Sequence, residues 1–331
     1  MRRSLSLGTR EGMALLTVLL LVAVMAAVCV LILDDVRFTV RRTSNVEHLA
    51  EMQAHAAVAE TVAAKQVMRL SKANPQMTPI MPVWNGQAIN VDTDIGQVRT
   101  IVSDGQACFN LNSLVLGQGE DLRAQEQGIG QFVALGVALG LPSARMLSLA
   151  DSLTDWMDSD QDVRGTGGAE DSYYASRPTA YRTGGLMLAD VSELRVIKGF
   201  DDALYRQLRP YVCALPETRL SRLNLNTLTP ENAPLLVALS GGRMTMGAAR
   251  AAIRNRPAGG WQSVDGFWAP HVLNDVVADE QMRTQTTLVT RYFNVRIDVQ
   301  AGDSRAVRTL VLQVAPDGTT RTVIRRWTTE E

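Results

Sequence analysis

The chain has 331 residues, 46% of them hydrophobic and 20% charged; that is too many for one small domain, so two or three are expected beyond any anchor. A formal net charge of -1 argues against a general polyanion binder. The three histidines, His48, His55 and His271, support no Ser-His-Asp or Cys-His arrangement, and no P-loop or dinucleotide fingerprint occurs, so no enzymatic activity is expected.

Residues 1–12 form a basic leader (Arg2, Arg3, Arg10) ahead of an unbroken apolar run, Met13 to Leu33, of 21 residues without charge, Pro or Gly. At about 1.5 Å rise per residue the run reaches roughly 30 Å, enough to cross the hydrocarbon core of a bilayer. A secretory signal has a shorter apolar region with a small-residue cleavage site behind it. Here the small residue, Gly12, stands in front, an order that resembles type IV prepilin-like proteins. The leader's three Arg and one Glu hold +2, so a mature chain starting at Met13 would carry -3. Charge counting across the membrane is nearly balanced, because Arg37, Arg41 and Arg42 follow the span. The leader, rather than the charge rule, places the head outside the cytoplasm.

The helix is predicted to continue as an amphipathic rod over residues 34–75. Leu49, Met52, Ala56, Ala59, Ala63, Val67 and Leu70 recur at spacings of three and four, one face of an α-helix that would pack on the protein's own sheet. Glu47, Glu51, Glu60 and Lys65 fall to the other faces, and His48 and His55 to solvent. Asn74-Pro75, backed by Pro79 and Pro82, ends the helix. Residues 83–103 alternate in short apolar bursts broken by Asn85-Gly86 and Gly96, which predicts an antiparallel meander, and Cys108 to Leu114 closes this first β part, 76–118.

Helical periodicity then predicts helices at 131–139, 144–156, 191–197 and 201–208, inside an insertion spanning 119–220. Strands return at 292–299, 306–314 and 322–327, in a terminal part, 285–331, with turns at Ala301-Gly302-Asp303 and Asp317-Gly318. The expected fold is α+β: a long N-terminal helix packed on an antiparallel sheet, with a large all-helical insertion between strands.

The densest chemistry lies in that insertion. Seven carboxylates (Asp151, Asp155, Asp158, Asp160, Asp162, Glu170, Asp171) and one base, Arg164, fall between Asp151 and Asp171. Alternating acids on a glycine-rich loop suit a hard cation such as calcium, which takes six to eight oxygens. Val163 and Ala169 stand where an EF-hand needs Gly and Glu, so this is a different kind of loop. Asp151 and Asp155 sit on the preceding helix and are expected to cap it or to support ligands from behind. A second lobe, 221–284, places Leu223-Asn224-Leu225-Asn226-Thr227 before two helices joined by Gly241-Gly242, the shape of a helix-hairpin-helix or SAM-like unit with Arg243, Arg250, Arg254 and Arg256 around it. Such units can grip nucleic-acid phosphates, but the acidic mature charge and the absence of lysine near the hairpin favour a packing module. Cys29 lies in the apolar run; Cys108 and Cys213 lie in the head, where one disulfide and two separate buried thiols are both open.

Several segments carry a specific resemblance: the Gly12 leader, CFNLNSL at Cys108–Leu114, DWMDSDQDVRGTGGAEDSYY at Asp155–Tyr174, VSELRVIKGF at Val191–Phe200, YVCALP at Tyr211–Pro216 and LNLNT at Leu223–Thr227. Over nearly its full length the chain resembles the protein K minor pseudopilins of the type II (general) secretion pathway. The resemblance implies that prepilin peptidase cuts between Gly12 and Met13 and methylates the new amino group. Most pilin-like proteins carry Glu at the fifth mature position, here Thr17, and this family lacks the acid. Without it, the ammonium of a neighbouring subunit buried in lipid has no charge partner, a large cost. That suits a subunit with nothing above it.

The same resemblance implies a tip complex with minor pseudopilins I and J, contact with other pseudopilins and the inner-membrane secretion platform, and calcium held by Asp158, Asp160, Asp162, Glu170 and Asp171. It also implies a single inner-membrane span with the head in the periplasm, and a fibre whose growth exports folded proteins across the outer membrane. The competing reading is a membrane-tethered, DNA-binding competence pilin-like protein that uses the second lobe; no nucleic-acid partner is expected.

Overall fold

The computed structural model describes residues 8–81, 83–269 and 276–328; the start of the leader and His271 lie outside them. Helix α1 runs unbroken from Gly8 to Ala73, 66 residues. Its apolar stretch from Met13 to Leu33 is exposed throughout and is long and apolar enough to cross a membrane. The far half packs on a sheet. Met52, Ala56, Ala63 and Val67 are buried there, while Leu49, expected in the same stripe, is exposed, so the packed face begins one turn later. Asn74 ends the helix, its side-chain oxygen accepting from the amides of Gln76 and Met77. Glu60 departs from expectation: it faces the sheet and is buried. His55 lies 3.3 Å from Asp94 instead of pointing freely to solvent.

Strands β1 (Ala88–Thr93) and β2 (Gly96–Asp104) open the sheet. The chain then leaves it for nearly two hundred residues. Short β3 (Phe109–Asn110), a 3-10 turn at Leu111–Leu114 and a hairpin of β4 (Val115–Gln118) and β5 (Asp121–Ala124) come first. Helices α2 (Glu126–Ala138), α3 (Ser143–Met157), α4 (Asp171–Ala175) and α5 (Asp202–Leu208) follow, and β6 (Val212–Cys213) closes the first lobe. The second lobe holds β7 (Leu223–Asn224), α6 (Ala233–Leu239), α7 (Met246–Arg254), α8 (Val264–Phe267), α9 (Glu280–Thr284) and β8 (Thr286–Thr287). The region is helical in mass but not throughout, since it also contains the β4–β5 hairpin.

Strands β9 (Tyr292–Ala301), β10 (Ser304–Val314) and β11 (Thr320–Thr328) then complete the sheet in the order β1-β2-β9-β10-β11. All neighbours are antiparallel, with Val102 opposite Val295 and Leu310 opposite Val295 on the next strand. The inward residues Val98, Phe293, Val295, Ile297, Val299 and Leu312 meet the stripe of α1. A second, larger apolar core fills the insertion around Phe132, Leu153, Met157 and Tyr174.

The two lobes repeat one local device. Each has a two-residue strand whose last residue is the first Asn of Asn-Leu-Asn, paired in parallel with a distant partner, β3 with β6 and β7 with β8. The buried amides then staple loops that no ladder could reach. Asn112 donates to the carbonyls of Leu188 and Leu215, and Asn226 donates to Trp261 O while accepting from its N–H. Satisfying buried backbone groups in this way gives the motifs a structural reason.

Candidate functional site

Helix α3 delivers acids to one end of the first lobe. Asp151 and Asp155 are one turn apart, and Asp158 stands at the C-cap. Carboxylates at a helix C-terminus face the negative end of its dipole, so the arrangement calls for compensating positive charge. The loop after α3 brings Glu170 back, and one oxygen from each of Asp155, Asp158 and Glu170 lies within 4.8 Å of the others. All three residues are buried. Among the described residues, both carboxylate oxygens of Glu170 and Oδ1 of Asp158 have no hydrogen-bond partner. Burial, then the charges of Asp160 and Asp155, pushes the Asp158 carboxyl up to about 7. Burial, then the charges of Asp155, Asp158, Asp160 and Asp171, pushes Glu170 up to about 8. Asp155 is raised by burial, partly offset by backbone N–H donors from Arg164 and Ala169.

Orphaned buried oxygens of like charge suit a hard divalent cation. Asp155, Asp158 and Glu170 would hold such an ion together, and it would supply the positive charge that their clustered oxygens lack. Hard oxygen donors without His or Cys point away from zinc. The sequence-derived set is thus only partly brought together. Asp158 and Glu170 meet. Asp160 and Asp162 are exposed, with Asp160 Oδ1 accepting from the amide of Asp162. Asp171 turns to Thr183, whose N–H and hydroxyl both donate to it and, with Arg182 nearby, hold its carboxyl below the usual range. Asp155, expected behind the ligands, joins them. Its i to i+3 spacing from Asp158 was the available signal.

Arg164 fixes the loop from behind. Its guanidinium lies 2.5 Å from Glu126 on α2 and 3.5 Å from Asp151 on α3, and its amide donates to Asp155 at 3.1 Å. The glycines allow the close packing, since a Cβ at Gly165 or Gly168 would collide with the carboxylates of Asp151 or Asp155. Trp156 and Tyr174 stack edge to face beside the acids, 5.2 Å apart.

The remaining positions lie elsewhere. Met13 and Thr17 sit on the bare part of α1, where the Thr17 hydroxyl donates to Ala14 O; the backbone of Gly12 is helical. Cys108 and Cys213 are bonded to each other, tying the end of β6 to the start of β3 across 105 residues. In the second lobe, Gly241 and Gly242 make the hairpin with positive φ and open space where a Cβ would project. Arg243 is engaged by Asp279, and Arg256 by the carbonyl of Leu228. Arg250 and Arg254 are exposed.

Two family models, both described as type II secretion system protein K, match residues 107–217 and 223–288. The chain belongs to the type II secretion system protein K family. It is 33% identical over 299 residues to the protein K of Pectobacterium carotovorum, an alignment covering 89% of this chain and 90% of that one. To the protein K of Pseudomonas aeruginosa it is 32% identical over 323 residues, covering 96% and 92%. Among solved structures, the crystal structure of the GspK-GspI-GspJ complex from enterotoxigenic Escherichia coli matches with a TM-score of 0.75 at 30% identity, covering 87% of this chain and all of the matched chain. Protein K is a component of a secretion machine rather than a known enzyme family, and its boundary between the two matched segments falls between β6 and β7. Its fold, a long helix on an antiparallel sheet with a helical region between strands, is the fold of this chain.

Proposed function

We propose that this protein K sits at the tip of a type II secretion pseudopilus, anchored in the inner membrane with its head in the periplasm. There it would help initiate the fibre whose growth exports folded proteins. The observation that carries the reading is the asymmetry of α1: a bare apolar rod, neutral at Thr17, leads into a head enlarged by two fused lobes. A subunit without an acid at that position offers a subunit above it no partner for a buried ammonium, so it suits the tip, with growth adding subunits below it. The partners that fit are minor pseudopilins I and J, which accompany protein K in the matched complex. Prepilin peptidase would cut after Gly12 and methylate Met13.

Calcium is the cation that fits Asp155, Asp158 and Glu170. It would supply two positive charges to the orphaned oxygens while Arg164 and the glycines hold the loop in place. The test has two arms. Gly12→Leu should leave an uncut, secretion-dead precursor; normal processing of that variant would end the leader assignment. Terbium added to the full chain in detergent should luminesce when Trp156 is excited, and calcium should quench the signal. Absence of sensitised emission would remove the metal site but leave the tip reading intact. Retention of the full chain on DNA, weakening with salt, would favour the nucleic-acid reading instead.

A further inference from the structure

Asp104 is a buried acid outside every site described above. It ends β2, on the floor of a trough of about 970 Å³ between the sheet and the first lobe. It touches three parts of the chain. The amide of Gln106 donates to Oδ1 at 2.8 Å. The hydroxyl of Thr227, in the second lobe, donates to Oδ2, and the hydroxyl of Thr290, which leads into β9, reaches the same oxygen at 3.3 Å. The surrounding groups extend this joint: Asn85 accepts from the amide of Asp104 and donates to Thr227 O, and Asn224 donates to the Thr290 hydroxyl.

Charged side chains surround the joint without pairing with it. Arg326 meets Asp190 and Arg296 meets Asp298, both on the trough side. Arg291 donates to Ala315 O and Arg256 to Leu228 O. Arg209 and Arg222 lie on the segments that flank the joint, with no hydrogen bond to Asp104. Among the described residues no cation contacts the Asp104 carboxylate.

Counting protons then discriminates between its two states. Thr227 has a single hydroxyl hydrogen but two oxygens in range, Asp104 Oδ2 and Asn224 O at 2.9 Å. If Asp104 is ionised, one of these contacts sets lone pair against lone pair. If Oδ2 carries a proton, Asp104 donates to Thr227, Thr227 donates to Asn224 O, and every group in the joint is satisfied. An unpaired carboxylate in this position would also carry the desolvation cost of a buried charge.

We propose that Asp104, in its protonated form, latches the sheet to the second lobe by donating to Thr227, and that the joint loosens as this buried acid ionises. Burial opposes ionisation here more than the three donors favour it, so the carboxyl titrates at about 6. Because that value is raised above the unfolded one, the latch is complete below about pH 4 and is lost as pH rises through about 6.

The test is equilibrium urea unfolding of the full chain in detergent across this range, comparing wild type with Asp104→Asn, whose amide donates to Thr227 at every pH. From about pH 5 to about pH 7.5 the unfolding constant of wild type should rise about tenfold relative to the variant. Parallel curves for the two proteins would overturn the proposal, as would a variant weakened equally at all pH values. Thr227→Val removes the acceptor of the Asp104 proton while keeping the shape, so the neutral acid is less favoured and the wild-type component should move to lower pH. If that component stays where it is, Asp104 is not latched through Thr227.

Discussion

Two buried glutamates in this molecule are treated in opposite ways. Glu60, on the sheet-facing side of α1, receives Arg308 at 2.8 Å, Arg325 at 2.6 Å and the hydroxyl of Thr322 at 3.0 Å. Burial pushes its carboxyl up, but the hydrogen bonds from Arg325 and Thr322 and the charges of both arginines more than reverse this and hold it below the ordinary range. Glu170, in the first lobe, is at least as deeply buried, and among the described residues no group donates to its carboxylate. The difference separates a charge that the fold itself completes from one that, in the reading proposed above, a cation would complete. Glu60 is complete within the chain and clamps helix to sheet; Glu170 has no side-chain partner among the described residues, and the proposed cation would supply one.

The sharpest way to break this comparison is to neutralise both. Glu60→Gln leaves Arg308, itself nearly buried, facing an amide, and should cost about 3 kcal/mol, the scale of an opened buried ion pair. Urea unfolding of the full chain in detergent measures it. The loss should be largest near neutral pH and shrink on acidification: a lowered carboxyl gives stability that is present above its unfolded value and disappears as pH falls through the folded one. Equal stability of wild type and variant would mean that the clamp contributes nothing net.

Glu170→Gln should have the opposite sign. In chelator at neutral pH the variant should be more stable than wild type, by about 1–2 kcal/mol, because a buried acid raised to about 8 loses stability as pH rises from its unfolded range. Calcium should then stabilise wild type and leave the variant unmoved. A variant weakened in chelator would show that Glu170 is a structural charge like Glu60, and the contrast would collapse.

The same pair marks how far the sequence reading reached. The helix, its break at Asn74-Pro75, the meander and the returning strands follow from local periodicity, which survives folding intact. Glu60 could not be read that way. Its stripe position is apolar in neighbouring turns, and the arginines that make a buried acid tolerable, Arg308 and Arg325, lie about 250 residues further on. The acidic loop was legible as a cluster, but not in its geometry. An alternating D-x-D-x-D draws the eye to its own spacing, whereas the trio uses Asp155 and Asp158, set by helical rise, and Glu170, returned by a glycine-bearing loop. Which acids turn inward depends on where the loop closes, and Gly165 and Gly168 fix that through packing on α3.

That distinction yields the smallest predicted effect. Asp158→Asn removes a charged buried oxygen of the trio and should weaken calcium binding on the order of a hundredfold, the upper end of what even a supporting residue costs. Asp162→Asn removes a charge that is exposed and outside the trio. It acts only through screened Coulomb attraction worth a few tenths of a kcal/mol, so affinity should fall by about twofold, and less at high salt. Calorimetric titration of both variants, at low and high ionic strength, separates the cases. If Asp162→Asn cost as much as Asp158→Asn, and did so independently of salt, the exposed half of the loop would have to fold inward onto the ion. The cation would then be remodelling the lobe instead of entering a site that helix α3 and Arg164 already hold in shape.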